Sequence, residues 1–242
     1  ILGAMVEQVG WQHAVNLTAL FGIALLVVLW FGIRDKKKDV GTDGGTVSNF
    51  SQLFVDFKII LTNQQIWING GYGCLIYLPT TVFAELWGIP YLSHAHGMSL
   101  ASAEFSNSIL FMGCTVGAPL WGYLSDRLRQ RKLPMRIGAF GACIVMLVIL
   151  YSPHLSISML YALMFALGCL YSVQAIVFAV GRELSPREAG GTAIAMTNMC
   201  VMLGAIVLQP LVGWVLDWCV VKRHGNNIAT NMLDSNQIRA LY

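Results

Sequence analysis

Residues 137–181 form a run of forty-five amino acids without one Asp, Glu, Lys or Arg. At about 1.5 Å per residue such a run is far longer than the roughly 30 Å of hydrocarbon in a bilayer, so it cannot be a single crossing helix. A soluble fold would have to cover it, and the chain has little to cover it with. Hydrophobic residues make up 56% of the 242 and charged residues 11%, against about 25% charged in an ordinary soluble domain. The mean hydropathy is +0.64. A lipid bilayer is therefore the expected outer solvent. Ser152-Pro-His154 marks the turn, dividing the run into helices near 137–151 and 156–181.

Charge is gathered in bursts between the apolar runs. The stretch Trp121-Gly-Tyr-Leu-Ser-Asp-Arg-Leu-Arg-Gln-Arg-Lys-Leu-Pro-Met-Arg136 contains Asp126, Arg127, Arg129, Arg131, Lys132 and Arg136. Each such charge costs about 2.5–3.5 kcal/mol at the centre of a spanning helix, so the burst belongs in water at a membrane surface. Residues 14–33, 105–124 and 189–216 are further charge-free runs long enough to cross, while 66–92 is interrupted by Gly70, Gly71, Gly73, Pro79, Gly88 and Pro90 and carries Glu85. Residues 1–13 read as the end of a helix whose start is missing. The expected fold is all-α: a polytopic transmembrane helix bundle of six full spans and one partial one.

The connections at 34–58, 127–136 and 182–187 hold twelve of the fifteen Lys and Arg, and the alternate connections at 91–104 and 152–155 hold none. The positive-inside rule then places loops 34–65, 125–136 and 182–188 in the cytoplasm, and the tail after residue 216 outside despite Lys222 and Arg223. The net charge of +3 is not a nucleic-acid signal. Residues 41–48 have the composition of a flexible linker. Phe50, Leu53, Phe54, Phe57, Ile60 and Leu61 recur at helical spacing beyond it, as in an amphipathic helix lying on the membrane surface. The six cysteines, at 74, 114, 143, 169, 200 and 219, lie mostly in apolar runs and read as small hydrophobes.

Polar residues inside the spans are the candidates for a binding site. Asn198 and Gln209, eleven residues apart, share one helix face. With Asn69, Asn107 and Gln174 they either line a substrate cavity or bond neighbouring helices at about 0.6 kcal/mol each. Glu85 is the one acid well inside an apolar run, with Cys74, Tyr77 and Thr81 on or near its face. It either lines the cavity, binding a cation, an amine or a proton, or reaches the external interface beside Trp87 and Tyr91. His94, His96 and Glu104 do not complete a metal-ligand set. No GxSxG or HExxH motif is present, so the sequence points to neither an enzyme nor a cofactor.

Gly122-Tyr-Leu-Ser-Asp126-Arg127, followed by Arg131 and Lys132, resembles the cytoplasmic signature between the second and third helices of each half of major facilitator superfamily transporters. Gly10-Trp11 and Arg34-Asp35 are similar to the mouth and exit of the family's sixth helix. Glu183-Leu-Ser-Pro186, Gly190-Gly-Thr-Ala193, Asn198, Pro210, Gly213 and Asp217 resemble its tenth-to-eleventh-helix segment. The resemblance implies that residues 1–33 hold the end of the fifth helix and the sixth helix of the N-terminal half, and 34–65 a cytoplasmic linker with the amphipathic helix. Residues 66–242 would be a C-terminal half-bundle cut before its last helix. It further implies a secondary active transporter in a bacterial inner membrane, moving a small-molecule substrate by alternating access with proton or other ion coupling. The partner of this half would be the N-terminal half of the same protein. A membrane sensor that keeps the transporter fold without turnover is the alternative. Gly122, Asp126, Arg127, Arg131, Glu183 and Arg187 are the expected cytoplasmic gate. One departure is Arg129, three residues after the aspartate, where the family usually has glycine.

Overall fold

Helices follow the charge-free segments in a computed structural model of the chain, which describes residues 10–32, 50–152, 155–186 and 189–225. The expectations that fall on 1–9, the basic run 34–39, the linker 41–48, Pro153-His154, Arg187 and the tail from 226 lie outside the described residues. The chain divides into two units, Ile1–Leu53 and Phe54–Tyr242. The first contains α1 (Trp11–Gly32), a charge-free helix of 22 residues. The amphipathic stretch forms α2 (Phe50–Thr62), with Ile60 fully buried and Phe54 and Phe57 exposed.

In the second unit α3 (Gln64–Ile76) leads into a π-helical segment, Pro79–Trp87, and then α4 (Gly88–His96). Next come α5 (Leu100–Leu128), α6 (Lys132–Tyr151) and α7 (Ile157–Tyr171). A single 3₁₀ turn, Ser172–Gln174, joins α7 to α8 (Ala175–Glu183), and α9 (Gly190–Gly225) follows. Among the described residues every element is helical, as the all-α reading expects. Local chemistry sets the helix starts: the side chains of Asn63, Ser99 and Ser156 accept from the N–H groups of Gln65, Ser102 and Met159 at 3.0, 3.3 and 3.3 Å.

Among the described residues five helical stretches are long and apolar enough to cross a membrane: Trp11–Gly32, Leu100–Leu128, Lys132–Tyr151, Ile157–Glu183 and Gly190–Trp218. The sixth expected span is built instead from the three consecutive pieces α3, the π segment and α4. Pro79 has no N–H to continue the α ladder, and the winding slackens until the Gly88 N–H bonds the Phe83 carbonyl five residues back. A Cβ on Gly88 would come within 2.7 Å of that carbonyl oxygen, so the loose turn closes only on glycine. Gly97, at φ +63°, ends α4 in the left-handed conformation.

The core forms where small residues let backbones approach. α5 packs most extensively against α7. A Cβ on Gly168 would collide with the Leu110 carbonyl, and one on Gly113 with the Phe165 carbonyl. The crossing is sealed by the Trp121 indole N–H, which donates to the Cys169 carbonyl at 2.6 Å. α3 and α9 meet in a reciprocal way, Cys200 seated over Gly70 and Cys74 over Gly204. These thiols, with Cys114, Cys143 and Cys169, are free. Leu110, Ile149, Leu160, Met164 and Leu167 are fully enclosed, while Phe140, Tyr151, Ile206 and Trp214 are largely exposed. An outer surface so apolar needs acyl chains for solvent.

Gly168→Val is expected to destabilise the bundle by about 1–3 kcal/mol or more, because the colliding group is backbone and cannot swing aside. Gly71→Ala meets nothing within 4 Å and is the matched control. Thermal unfolding in detergent checks both, and equal melting temperatures for the two variants would remove the close crossing from the account.

Candidate functional site

The charge burst begins where α5 stops. Arg129 takes the left-handed conformation at φ 51°, ψ 29°, and its N–H donates to the Asp126 carbonyl at 3.2 Å. A side chain there costs about 1–2 kcal/mol relative to glycine, yet the turn forms, so the departure at Arg129 leaves the tight reversal in place. The reversal brings Arg131, the first residue before α6, back against the end of α5.

Arg131 then acts as a three-way connector. Its Nη1 donates to Asp126 Oδ1 at 2.6 Å and to Ser125 Oγ at 2.9 Å. Its Nη2 donates to Glu183 Oε1 at 2.6 Å, and its Nε to Glu183 Oε1 and Oε2 at 3.1 and 3.4 Å. Asp126 belongs to the last turn of α5 and Glu183 to the last residue of α8, so one planar guanidinium ties the α5–α6 turn to the end of a helix fifty-two residues on. Only arginine has the fork to serve two carboxylates and a hydroxyl at once. Ser125 is fully buried and in turn donates to the Gln130 carbonyl at 3.3 Å, fixing the inner side of the turn.

The arginine side chain is 29% exposed and its acid partners 70% and 51%, so water screens both pairs. The connector is worth about 1 kcal/mol rather than the several of a buried pair. The hydrogen bonds that it donates, first to Glu183 and then to Asp126, push the guanidinium pKa above its ordinary value, against a smaller opposing effect of burial. A raised pKa on a basic group stabilises the fold fully below the ordinary arginine value and loses that contribution only as pH rises past the shifted one. Deprotonation of Arg131 therefore releases nothing across the neutral range.

Of the expected gate residues, Asp126, Arg131 and Glu183 meet. Arg127 instead points to the Tyr123 hydroxyl at 3.5 Å, and Gly122 is half-buried with open space where a side chain would go. Ser125 went unnoticed in the sequence, where only its place beside Asp126 marked it. Glu183 also lines a cavity of about 760 Å³ with Ala179, Arg182 and Ser185.

The polar residues inside the spans divide into two groups. Asn69 Nδ2 donates to the Val177 carbonyl at 2.9 Å, Asn107 Nδ2 to Ala84 at 2.9 Å, and Gln209 Nε2 to Thr81 at 2.8 Å. These amides bolt α3 to α8, α5 to the π segment, and α9 to the π segment. Asn69 and Asn107 each keep a buried oxygen without a partner. Thr81 Oγ1 turns to the Tyr77 carbonyl at 3.4 Å. Glu85 and Asn198 are exposed, and Tyr77 and Gln174 half-buried. His96 meets the Ile149 carbonyl at 3.2 Å, and the Tyr91 hydroxyl donates to Leu150 at 2.8 Å, so this aromatic pair clamps α4 to the end of α6. No group of three or more metal-ligating side chains occurs among the described residues.

The family model described as Major Facilitator Superfamily matches residues 1–209. The chain belongs to the major facilitator superfamily. Membrane sensor protein UhpC of Salmonella typhimurium is 26% identical over 234 residues, covering 89% of this chain and 52% of the relative. Probable galactarate/D-glucarate transporter GudP of Escherichia coli is 23% identical, covering 89% and 53%. The hexose-6-phosphate:phosphate antiporter of Escherichia coli is 25% identical over 199 residues, covering 80% and 41%. The chain thus spans about half the length of the curated relatives it matches. Family membership and the apolar helices make it an integral membrane protein of the superfamily.

Arg131→Gln, Glu183→Gln and the double variant form a thermodynamic cycle read by thermal unfolding of the full-length protein. The expected coupling is about 1 kcal/mol, and Arg131→Lys restores less than half of it, because an ammonium cannot bridge both acids. A coupling near zero would mean that the contact carries no energy.

Proposed function

We propose that this chain is the C-terminal part of a secondary active transporter of a small polar solute, working by alternating access in a bacterial inner membrane. The observation that carries the proposal is the Arg131 connector: one cation joins the ends of α5 and α8 through charge-assisted bonds exposed enough to exchange with water. Interactions of that strength suit a latch, since two conformations must differ by only a few kcal/mol to interconvert. In this reading Asp126, Arg131 and Glu183 close the cytoplasmic end in one state and part in the other. Loops 34–65, 125–136 and 182–188 face the cytoplasm, and the N-terminal half of the protein supplies the opposing wall.

Relatives named for hexose phosphate and for galactarate or glucarate support a hydroxylated solute. The spans described above offer it amides, hydroxyls and the carboxylate of Glu85; residues 59–125, 137–181 and 189–221 contain no Lys or Arg. Glu85 sits exposed on the loosened π segment, and such irregular turns in spans collect at functional sites. We assign Glu85 the proton or cation of the coupling step, with Tyr77 and Thr81 alongside. The relative named as a membrane sensor favours a second reading, in which the same fold reports ligand without turnover.

Saturable counterflow by the full-length protein in vesicles is expected, and its absence with ligand binding intact would favour the sensor. Asp126→Asn is expected to shift inside-outside accessibility and lower uptake several-fold. Glu85→Gln is expected to abolish the pH dependence of uptake, and a normal pH profile in that variant would remove Glu85 from coupling.

A further inference from the structure

The π winding around Glu85 needs something to select it, because the backbone alone does not. Pro79 and Pro90 lack an N–H, and each removes one ladder bond from either winding. With bonds that run five residues on, Pro90 leaves the Glu85 carbonyl without a donor; with bonds that run four on, it leaves that of Leu86. Pro79 does the same to the carbonyls of Cys74 and Leu75. The prolines therefore loosen the segment without choosing its winding, and the π form is otherwise rare. Gly88 permits the closure on the Phe83 carbonyl but does not require it.

The contacts that remain to hold the winding are two side-chain amides. Asn107 of α5 donates to the carbonyl of Ala84, the residue bonded to Glu85, and Gln209 of α9 donates to that of Thr81, four residues before it. Ala84 and Thr81 are buried, so neither carbonyl can turn to water in exchange. Asn107 also keeps its oxygen enclosed and without a donor, which costs stability. A residue kept at such a cost is not there for stability alone. If the turn rewound as α, one residue would drop out of register, and Glu85 would swing about 100° around the helix axis.

We propose that Asn107 and Gln209 are positioning residues for Glu85: together they hold its turn in the π winding and so fix the direction in which the carboxyl points. The proposal rests on the assignment of Glu85 to coupling and adds how the fold aims it. In this arrangement α5 and α9, by keeping or releasing their amides, set the direction of the coupling group.

The test compares Asn107→Leu and Gln209→Met in the full-length protein, with Trp121→Phe as control. The control also loses an interhelical bond from α5, fourteen residues or about 21 Å from Asn107. Hydrogen–deuterium exchange over 79–88 is expected to quicken about fivefold in each amide variant, the factor that one net hydrogen bond gives. The Glu85 carboxyl band, identified in infrared spectra as the signal lost in Glu85→Gln, is expected to change frequency in both. Trp121→Phe is expected to lower the melting temperature while it leaves exchange over 79–88 and the band as they are. Gln209→Met replaces one half-buried unbranched side chain by another, so it is expected to fold even where Asn107→Leu does not. Exchange over 79–88 no faster than in Trp121→Phe, or a Glu85 band unmoved in the folded amide variants, would overturn the proposal. Neither readout uses transport, so this failure is distinct from failure of the coupling assignment, which the uptake pH profile of Glu85→Gln decides.

Discussion

Hydrocarbon refuses charge, and the rest of the structure answers to that refusal. The helices that cross hold almost none, so the ionisable side chains of the second unit collect where helices end. Once collected they cannot be indifferent to one another. Five cations between residues 127 and 136 crowd a short turn, and the arrangement found there sorts them: Arg131 takes both nearby acids, Arg127 leans on Tyr123, and Lys132 and Arg136 face outward. The turn itself depends on Arg129 accepting a backbone conformation that glycine adopts more cheaply.

Inside the spans the same refusal acts on the backbone and on neutral polar groups. With lipid outside, helices gain little by hiding apolar surface from one another, so packing density decides which pairs meet. Gly113, Gly117 and Gly168 let α5 and α7 approach until carbonyls occupy the space of missing side chains. The amides of Asn69, Asn107 and Gln209 add directional bolts at the same interfaces, two of them on the π segment that Pro79 loosens. A segment weakened by proline and glycine is thus held from outside by α5 and α9, which keeps Glu85 on a defined but less rigid support.

Most of the fold was legible because its signals are long. Charge-free runs of twenty residues or more have one interpretation in a chain so poor in charge, and the helix ends fall within a few residues of where charge resumes. The broken span 66–92 was legible only as trouble: its glycines and prolines announced interruption without saying that the winding would become π-helical. The site was half legible. Asp126, Arg131 and Glu183 stood out as charges at helix ends, but Ser125 is an unremarkable serine until the fold places it under the guanidinium. Asn69 and Gln209 looked equally fit for a cavity or for a neighbouring carbonyl, because an amide serves either, and only the helix register chooses between Val177, Thr81 and open space.

The alternation between two states proposed above needs contacts at the helix ends that are specific in geometry and modest in energy. Arg131 meets both conditions, and its place in the structure can be tested by hydrogen–deuterium exchange on the full-length protein with and without Arg131→Gln. If the guanidinium joins the α5–α6 turn to the end of α8, its removal speeds exchange at 125–131 and at 182–185 together, including the amides of Arg129 and Ser185 that close the two turns. Faster exchange confined to the residues around 131, with 182–185 unchanged, would contradict the connection.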